Sequence, residues 1–233
     1  MTVRLDKYIC ESTGLSRSLA KRALKRGEIK VDGIMVKDAS LQLVDESVVT
    51  FNDEIIQLLG ARYIMLHKPQ GYICSTQDEV HLSVMNLVDV AQVEKLHIAG
   101  RLDVDTTGLV LITDDGQWSH QVTSPKKHCA KRYRVTLADP LTEELIAQFA
   151  AGLALRGEDQ LTLPAQLEIV SSHQALLTIH EGKYHQVKRM FAAVGNKVVG
   201  LHREQIGAIA LDGELAQGEW RELTAAEVAS IQA

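Results

Sequence analysis

AGRLDVDTTGLVLITDDG occupies residues 99–116 and carries a loop and a strand in one piece. Leu109–Thr113 is a β-like apolar run, and the turn-like GRLD segment ahead of it places Asp103 between that run and a preceding apolar stretch. A carboxylate so placed projects from the mouth of a sheet, where loops commonly carry catalysis. A structural reading competes with this one. Asp103, Asp105, Thr106 and Thr107 also suit a loop that hydrogen-bonds its own backbone before Gly108, and from spacing alone that is the commoner outcome.

Further β-like runs surround this segment: YIML (63–66), RYRVTL (132–137), QLEIV (166–170), ALLTI (175–179), KVVGL (197–201) and AIAL (208–211). Between them lie helix-like stretches, SVMNLVDV (83–90), DGQWSHQV (115–122), TEELIAQFA (142–150, capped by Thr142) and YHQVKRMFAAV (184–194). TAAEVASIQ (224–232) closes the chain, with Thr224 and Glu227 at capping-box spacing. The order lacks the regular strand–helix alternation of a parallel sheet, so an α+β body with a mainly antiparallel mixed sheet is expected.

A chain of 233 residues has room for one large domain or two unequal ones, and 45% apolar with 24% charged residues is the composition of a folded protein. No apolar run approaches the ~20 residues of a membrane helix, and MTVRLDKY is charged from its start. A cytoplasmic protein without a membrane partner is expected. Cys10, Cys74 and Cys129 are too scattered for a disulfide framework or a zinc site. No P-loop, no helix-opening GxGxxG, no HExxH among the nine histidines and no GxSxG occurs, which argues against nucleotide, dinucleotide, metal and simple acyl-transfer chemistry. The net charge of −5 hides an asymmetry: residues 1–40 hold nine Lys and Arg against five acids, leaving −9 for the remainder.

That basic segment reads as helix, helix, hairpin. Leu5, Tyr8 and Ile9 mark a short amphipathic helix over Arg4–Ser12, followed by Gly14. Ser16 then caps RSLAKRALKR (17–26), whose apolar stripe is Leu19, Ala20, Ala23 and Leu24 while Arg17, Lys21, Arg22, Lys25 and Arg26 project elsewhere. EIKVDGIMV (28–36) alternates around Asp32-Gly33, a dipeptide suited to a two-residue hairpin. VDESVVTFNDEIIQLLG (44–60) reads as a last strand and a linker, dividing the chain into domains 1–60 and 61–233. Stacked cations on one helix face can follow a phosphate backbone, although a merely solvated basic helix has the same pattern.

Residues 4–43 resemble an S4 RNA-binding module, a small unit with an αα-hairpin. HKPQGYICST (67–76), AGRLDVDTTGLVLITDDGQWSH (99–120), KRYRVTL (131–137) and EGKYHQVKRMFAAVGNKVVGLHR (181–203) resemble, in order and spacing, the RsuA family of ribosomal-RNA pseudouridine synthases. The resemblance implies cofactor-free, metal-free isomerisation of a uridine in small-subunit (16S) rRNA: the C1′–N1 bond breaks, uracil turns, and C5 bonds to C1′. The partner implied is 16S rRNA in a small-subunit assembly intermediate, and nothing requires more than a monomer. Large-subunit (23S) rRNA is the alternative substrate, and a non-catalytic S4-type assembly factor the alternative class.

The same resemblance puts the catalytic aspartate on Asp103, its cationic partner on Lys188 and the active-site tyrosine, expected to stack on the target base, on Tyr133. Covalent attack on ribose, addition to uracil C6 and a glycal route with 2′-proton abstraction all remain open, the last being favoured. Helix phasing agrees on the lysine. With Val187, Met190, Phe191 and Val194 as the buried stripe, Lys188 lies at its margin, about 100 degrees from Val187, and Arg189, at about 200 degrees, faces away toward RNA phosphate. Arg101 is expected to hold the extruded nucleotide's phosphate. Lys126, Lys127, His128, Lys131, Arg132 and Arg134 read as a basic track toward the pocket, with Lys131 and Arg132 as substrate contacts.

Overall fold

A computed structural model of the chain describes residues 3–58 and 60–232. Met1 and Thr2 in the charged start, and Leu59 in the expected linker, lie outside the described residues. Contacts divide the chain into two compact units, Met1–Ala61 and Arg62–Ala233.

In the first unit, β1 (Val3–Arg4) leads into α1 (Leu5–Thr13) and α2 (Arg17–Arg26). The strands β2 (Ile29–Val31), β3 (Ile34–Met35), β4 (Gln42–Leu43), β5 (Val49–Phe51) and β6 (Glu54–Ile56) follow. β1 pairs with β4, and the other four form a sheet in the order β3-β2-β5-β6. The Asp32-Gly33 turn forms as expected, with φ of 52° and 78° and Val31 opposite Ile34. A second turn of the same kind, Asn52-Asp53 (φ 51° and 67°), splits the single strand expected over residues 44–60 into β5 and β6. Asn and Asp tolerate the left-handed region, so it needs no glycine. Ser16 caps α2, accepting from Leu19 N–H at 3.4 Å. Leu19 itself is 43% exposed, a departure from the expected stripe: Ala20, Ala23 and Leu24 already close the narrow contact with α1 and the sheet.

The second unit opens with β7 (Tyr63–Lys68), β8 (His97–Ala99), β9 (Thr107–Thr113) and α3 (Gly116–Thr123). It continues through β10 (Lys131–Leu137), α4 (Glu144–Ala151), β11 (Gln166–Ser171), β12 (Gln174–Ile179) and α5 (Gln186–Ala193). β13 (Val198–Ile206), β14 (Ile209–Ala210), β15 (Trp220–Glu222) and α6 (Ala225–Gln232) complete it. The main sheet runs β11-β12-β10-β13-β9-β7-β15, with β14 on β13 and β8 on β9. Its pairings are antiparallel except β13 with β9, where His202 meets Thr107 and Arg203 meets Gly108. The mixed, mainly antiparallel α+β body is therefore as expected. β8 and β15 were not anticipated, because three residues are too few to show alternation.

β9 is buried on both faces. Val110 and Ile112 join the larger core with Tyr133, Val135, Val187 and Phe191, while Leu109 and Leu111 join Met65, Trp118, Val122 and Ile206 on the other side. Gly108 opens the strand with φ +107°, and a Cβ there would lie 2.3 Å from the Arg203 carbonyl oxygen, so only glycine lets β9 and β13 meet.

Three helices differ from expectation. Residues 83–90 make only one 3-10 turn, Val84–Leu87, after which Val88 is extended; its β-branched valines weaken a full helix. α4 starts at Glu144, and Thr142 contributes its carbonyl to Leu145 N–H (3.2 Å) in place of a side-chain cap. α5 starts at Gln186, because His185 is left-handed (φ 47°).

The expected capping box closes α6: Glu227 accepts from Thr224 N–H at 2.7 Å, and Thr224 Oγ1 accepts from Glu227 N–H at 3.2 Å. Arg221 adds an ion pair at 2.9 Å, and its hydrogen bond is the main reason the Glu227 carboxyl falls from 4.5 to about 2. A carboxyl lowered on folding stabilises the fold fully above its unfolded value and loses that contribution as pH falls through the folded value. Glu227→Ala is thus expected to cost ~1–2 kcal/mol near neutrality. Thermal melts of variant and wild type should converge as pH falls from 4.5 toward about 2; parallel melting curves would exclude this role.

Candidate active site

The loop between β8 and β9 is pinned from below by two buried cations. Lys68, fully buried at the end of β7, donates to Thr106 O (2.7 Å), Pro69 O (3.1 Å) and Val104 O (3.3 Å). Burial pushes its ammonium pKa down, while three carbonyl acceptors satisfy its three donors. Arg203, 1% exposed on β13, donates to Gly100 O (2.7 Å), Leu109 O (2.8 Å) and Arg101 O (3.4 Å). Its guanidinium carbon lies 6.0 Å from the centre of the Tyr133 ring, within cation–π reach.

The loop so held turns Asp103 toward α5. Lys188 Nζ reaches Asp103 Oδ2 at 2.9 Å and Asp105 Oδ1 at 2.6 Å, and His185 Nε2 lies 3.4 Å from Asp103 Oδ1. Lys188 and Asp103 are each under one-third exposed, so their pair is shielded more than a surface bridge. Burial works against the Lys188 charge, yet the hydrogen bonds it donates to Asp105 and Asp103 outweigh it and raise its pKa. Burial likewise raises Asp105, but the Lys188 hydrogen bond and charge leave its carboxyl below the usual range. One ammonium thus serves two carboxylates.

These groups face a cleft of about 890 Å³ lined also by Arg101, Lys131, Tyr133, Tyr184 and Arg203. That volume is in the range of small-ligand pockets, ~300–1,000 Å³. Tyr133 is 7% exposed and belongs at once to the core and to the cleft wall. A shallower depression between α4 and β11 has Glu143 and Glu168 as its only charged lining groups among the described residues.

Among the residues singled out from sequence, Asp103, Lys188, Tyr133, Arg101 and Lys131 come together here. Arg132 and Arg189 do not, and both are corrections. Along β10 side chains alternate, so Lys131 and Tyr133 face inward while Arg132 and Arg134 take the opposite face. There Arg132 lies 3.9 Å from both Glu168 and Glu204, and Arg134 donates to Glu204 at 2.6 Å. Lys131 is buried and donates to Cys129 O (2.9 Å), and burial lowers its pKa. The expected continuous basic track is split by this period of two. Arg189 is spent within the protein, donating to Glu158 (3.0 Å), Tyr184 O (3.0 Å) and Arg156 O (2.7 Å).

Lys68, Arg203, Asp105 and His185 were not assigned from sequence. Lys68 had a signal, because it shares the inward register of Ile64 and Leu66 on β7, where a lysine demands partners. Asp105 had none beyond its two-residue distance from Asp103. In the first unit, Arg17, Lys21, Arg22, Lys25 and Arg26 are all exposed on α2.

A shielded carboxylate held by an ammonium beside an aromatic-walled cleft suits cleavage of a glycosidic bond, in which positive charge develops on the sugar. Residues 62–193 match the family RNA pseudouridylate synthase and residues 3–49 match the S4 domain; the chain belongs to the pseudouridine synthase family and bears an S4 RNA-binding domain. It is 57% identical over 229 residues to the ribosomal small subunit pseudouridine synthase A of Vibrio cholerae serotype O1, covering 98% of this chain and 99% of that one. It is 53% identical over 230 residues to the protein of that name from Escherichia coli strain K12, covering 98% and 100%. A solved structure described as a pseudouridylate synthase is 52% identical, with a TM-score of 0.72 and coverage of 98% and 99%.

Proposed function

We propose that this pseudouridine synthase isomerises one uridine of small-subunit rRNA, and that it does so as a monomer in the cytoplasm, on a small-subunit assembly intermediate. The observation that carries the chemistry is Lys188 Nζ at 2.9 Å from Asp103 Oδ2, in the wall of a cleft closed by Tyr133. The identity to small-subunit synthases along nearly the whole chain supports the substrate. No helix among the described residues is long and apolar enough to cross a membrane.

In this reading the target uridine leaves its stack and enters the cleft, because its reacting atoms are inaccessible inside structured RNA. Tyr133, its ring steadied by Arg203, stacks on the base. Asp103 acts on the ribose as the C1′–N1 bond breaks, and Lys188, 2.9 Å away, holds the carboxylate in position. Uracil turns within the cleft, C5 bonds to C1′, and the C5 proton is lost as N1 gains one, so the isomerisation balances without an added redox partner. Arg101 holds the nucleotide's phosphate at the rim, and Lys131 contacts the substrate from the cleft floor. The exposed cations of α2 bind rRNA elsewhere on its backbone.

Mapping pseudouridines in both rRNAs of a strain lacking this protein tests the substrate. One site missing from small-subunit RNA is expected; a site missing only from large-subunit RNA, or none missing, would overturn the reading. For α2, the double variant Lys21→Gln, Lys25→Gln should lower the slope of log affinity against log salt by ~1–2. An unchanged slope would remove that helix from the RNA contact.

A further inference from the structure

The Tyr184–His185 pair stands at the cleft and has no part in the chemistry described so far. Its rings are stacked, centroids 3.8 Å apart and planes 23° from parallel. Tyr184 is nonetheless 77% exposed, unusual for an aromatic ring on a well-anchored segment. The anchoring is extensive: Arg189 holds the Tyr184 carbonyl at 3.0 Å, Lys183 pairs with Glu158 at 2.8 Å, and Gln186 joins Lys183 N–H (2.8 Å) to Glu181 (2.7 Å). His185 pays for the arrangement with a left-handed backbone (φ 47°), uncommon for a residue with a Cβ. Backbone strain that the surroundings over-determine gathers at ligand clamps. Both residues line the cleft, and the other edge of His185 reaches Asp103 at 3.4 Å.

We propose that the open face of Tyr184 is a stacking platform for a nucleobase flanking the target uridine. This rests on the uridine entering the cleft as described above. Extruding one base leaves its neighbours without a stacking partner on that side, and the strand must cross the cleft rim to deliver the uridine. A ring at that rim, backed by the His185 imidazole, replaces the lost stack at little entropic cost, since Arg189, Lys183 and Gln186 have ordered in advance the backbone that carries it. Every base has a π-face, so the platform sets the strand's position and does not read its sequence. Arg189 thereby supports RNA binding as a positioning residue, through Tyr184, and not by touching phosphate.

The test uses the full chain and a small-subunit rRNA fragment carrying the mapped uridine, with 2-aminopurine placed in turn at each flanking position. Stacking quenches this base's fluorescence without requiring turnover. Quenching at one position is expected with wild type and Tyr184→Phe, and its loss with Tyr184→Ala and Tyr184→Leu. The Ala and Leu variants should raise KM roughly tenfold, equivalent to ~1.4 kcal/mol, with a much smaller change in kcat, while Phe restores KM. Equal quenching by wild type and both non-aromatic variants, or an unaltered KM, would overturn the platform. The two readings fail separately: quenching through Tyr184 without tritium release from 5-tritiated uridine sinks the isomerase reading, whereas tritium release without quenching at either position sinks the platform.

Discussion

Asp103→Asn is expected to abolish turnover, lowering the rate by at least ~10³-fold, while RNA affinity stays within about twofold of wild type. The asymmetry follows from the geometry. Asparagine keeps the shape of the side chain and loses only the charge. The loop that presents it is fixed through backbone carbonyls by Lys68 and Arg203, and neither contact involves the Asp103 side chain. Lys188 is not orphaned either, since Asp105 still holds it at 2.6 Å. The variant should therefore fold and bind normally, with the defect confined to chemistry. Tritium release from 5-tritiated uridine in small-subunit RNA measures the rate, and equilibrium binding the affinity. Retained release would remove Asp103 from the reaction.

Lys188→Met is the second large effect, expected at ~10²–10³-fold in kcat. Methionine preserves most of the stem's packing against the α5 stripe but removes the ammonium. Asp105 then loses the hydrogen bond and charge that hold its carboxyl below the usual range, so burial pushes it up beside Asp103. The acid limb of the pH–rate profile should accordingly move to higher pH, so that raising the pH restores part of the lost rate. Arg189→Met should leave that limb in place and act on KM instead, because Arg189 touches Glu158, Arg156 and the Tyr184 backbone but no group of the carboxylate pair. A larger kcat loss in Arg189→Met than in Lys188→Met would relocate the cation that supports Asp103.

The amphipathic helices of the first unit, the Asp32-Gly33 hairpin, the apolar strand at Leu109–Thr113 and the α6 capping box were all legible in the chain itself. In each, neighbours within four residues carry the cause: a cap, a turn dipeptide or a periodic apolar face. The position of Lys188 at the margin of its stripe was legible for the same reason. Arg132 and Arg189 were misplaced because their charges are neutralised by Glu168, Glu204 and Glu158, carboxylates 31 to 72 residues away, which no local pattern relates to them.

What the chain determined alone is thus its local elements, its two-part organisation and the family its motifs belong to. The site was decided by register. Lys68 pairs with Gly108, Gly108 with Arg203, and Arg203 with Tyr133, forming a single row across β7, β9, β13 and β10. That row brings residues 68, 108, 133 and 203 side by side, and it depends on the one parallel pairing in the sheet and on a glycine with no Cβ to hold two backbones apart. Hydrogen-bond register between distant strands is a property of the closed sheet, so the two cations beneath Asp103 acquire their partners only when the whole unit has folded.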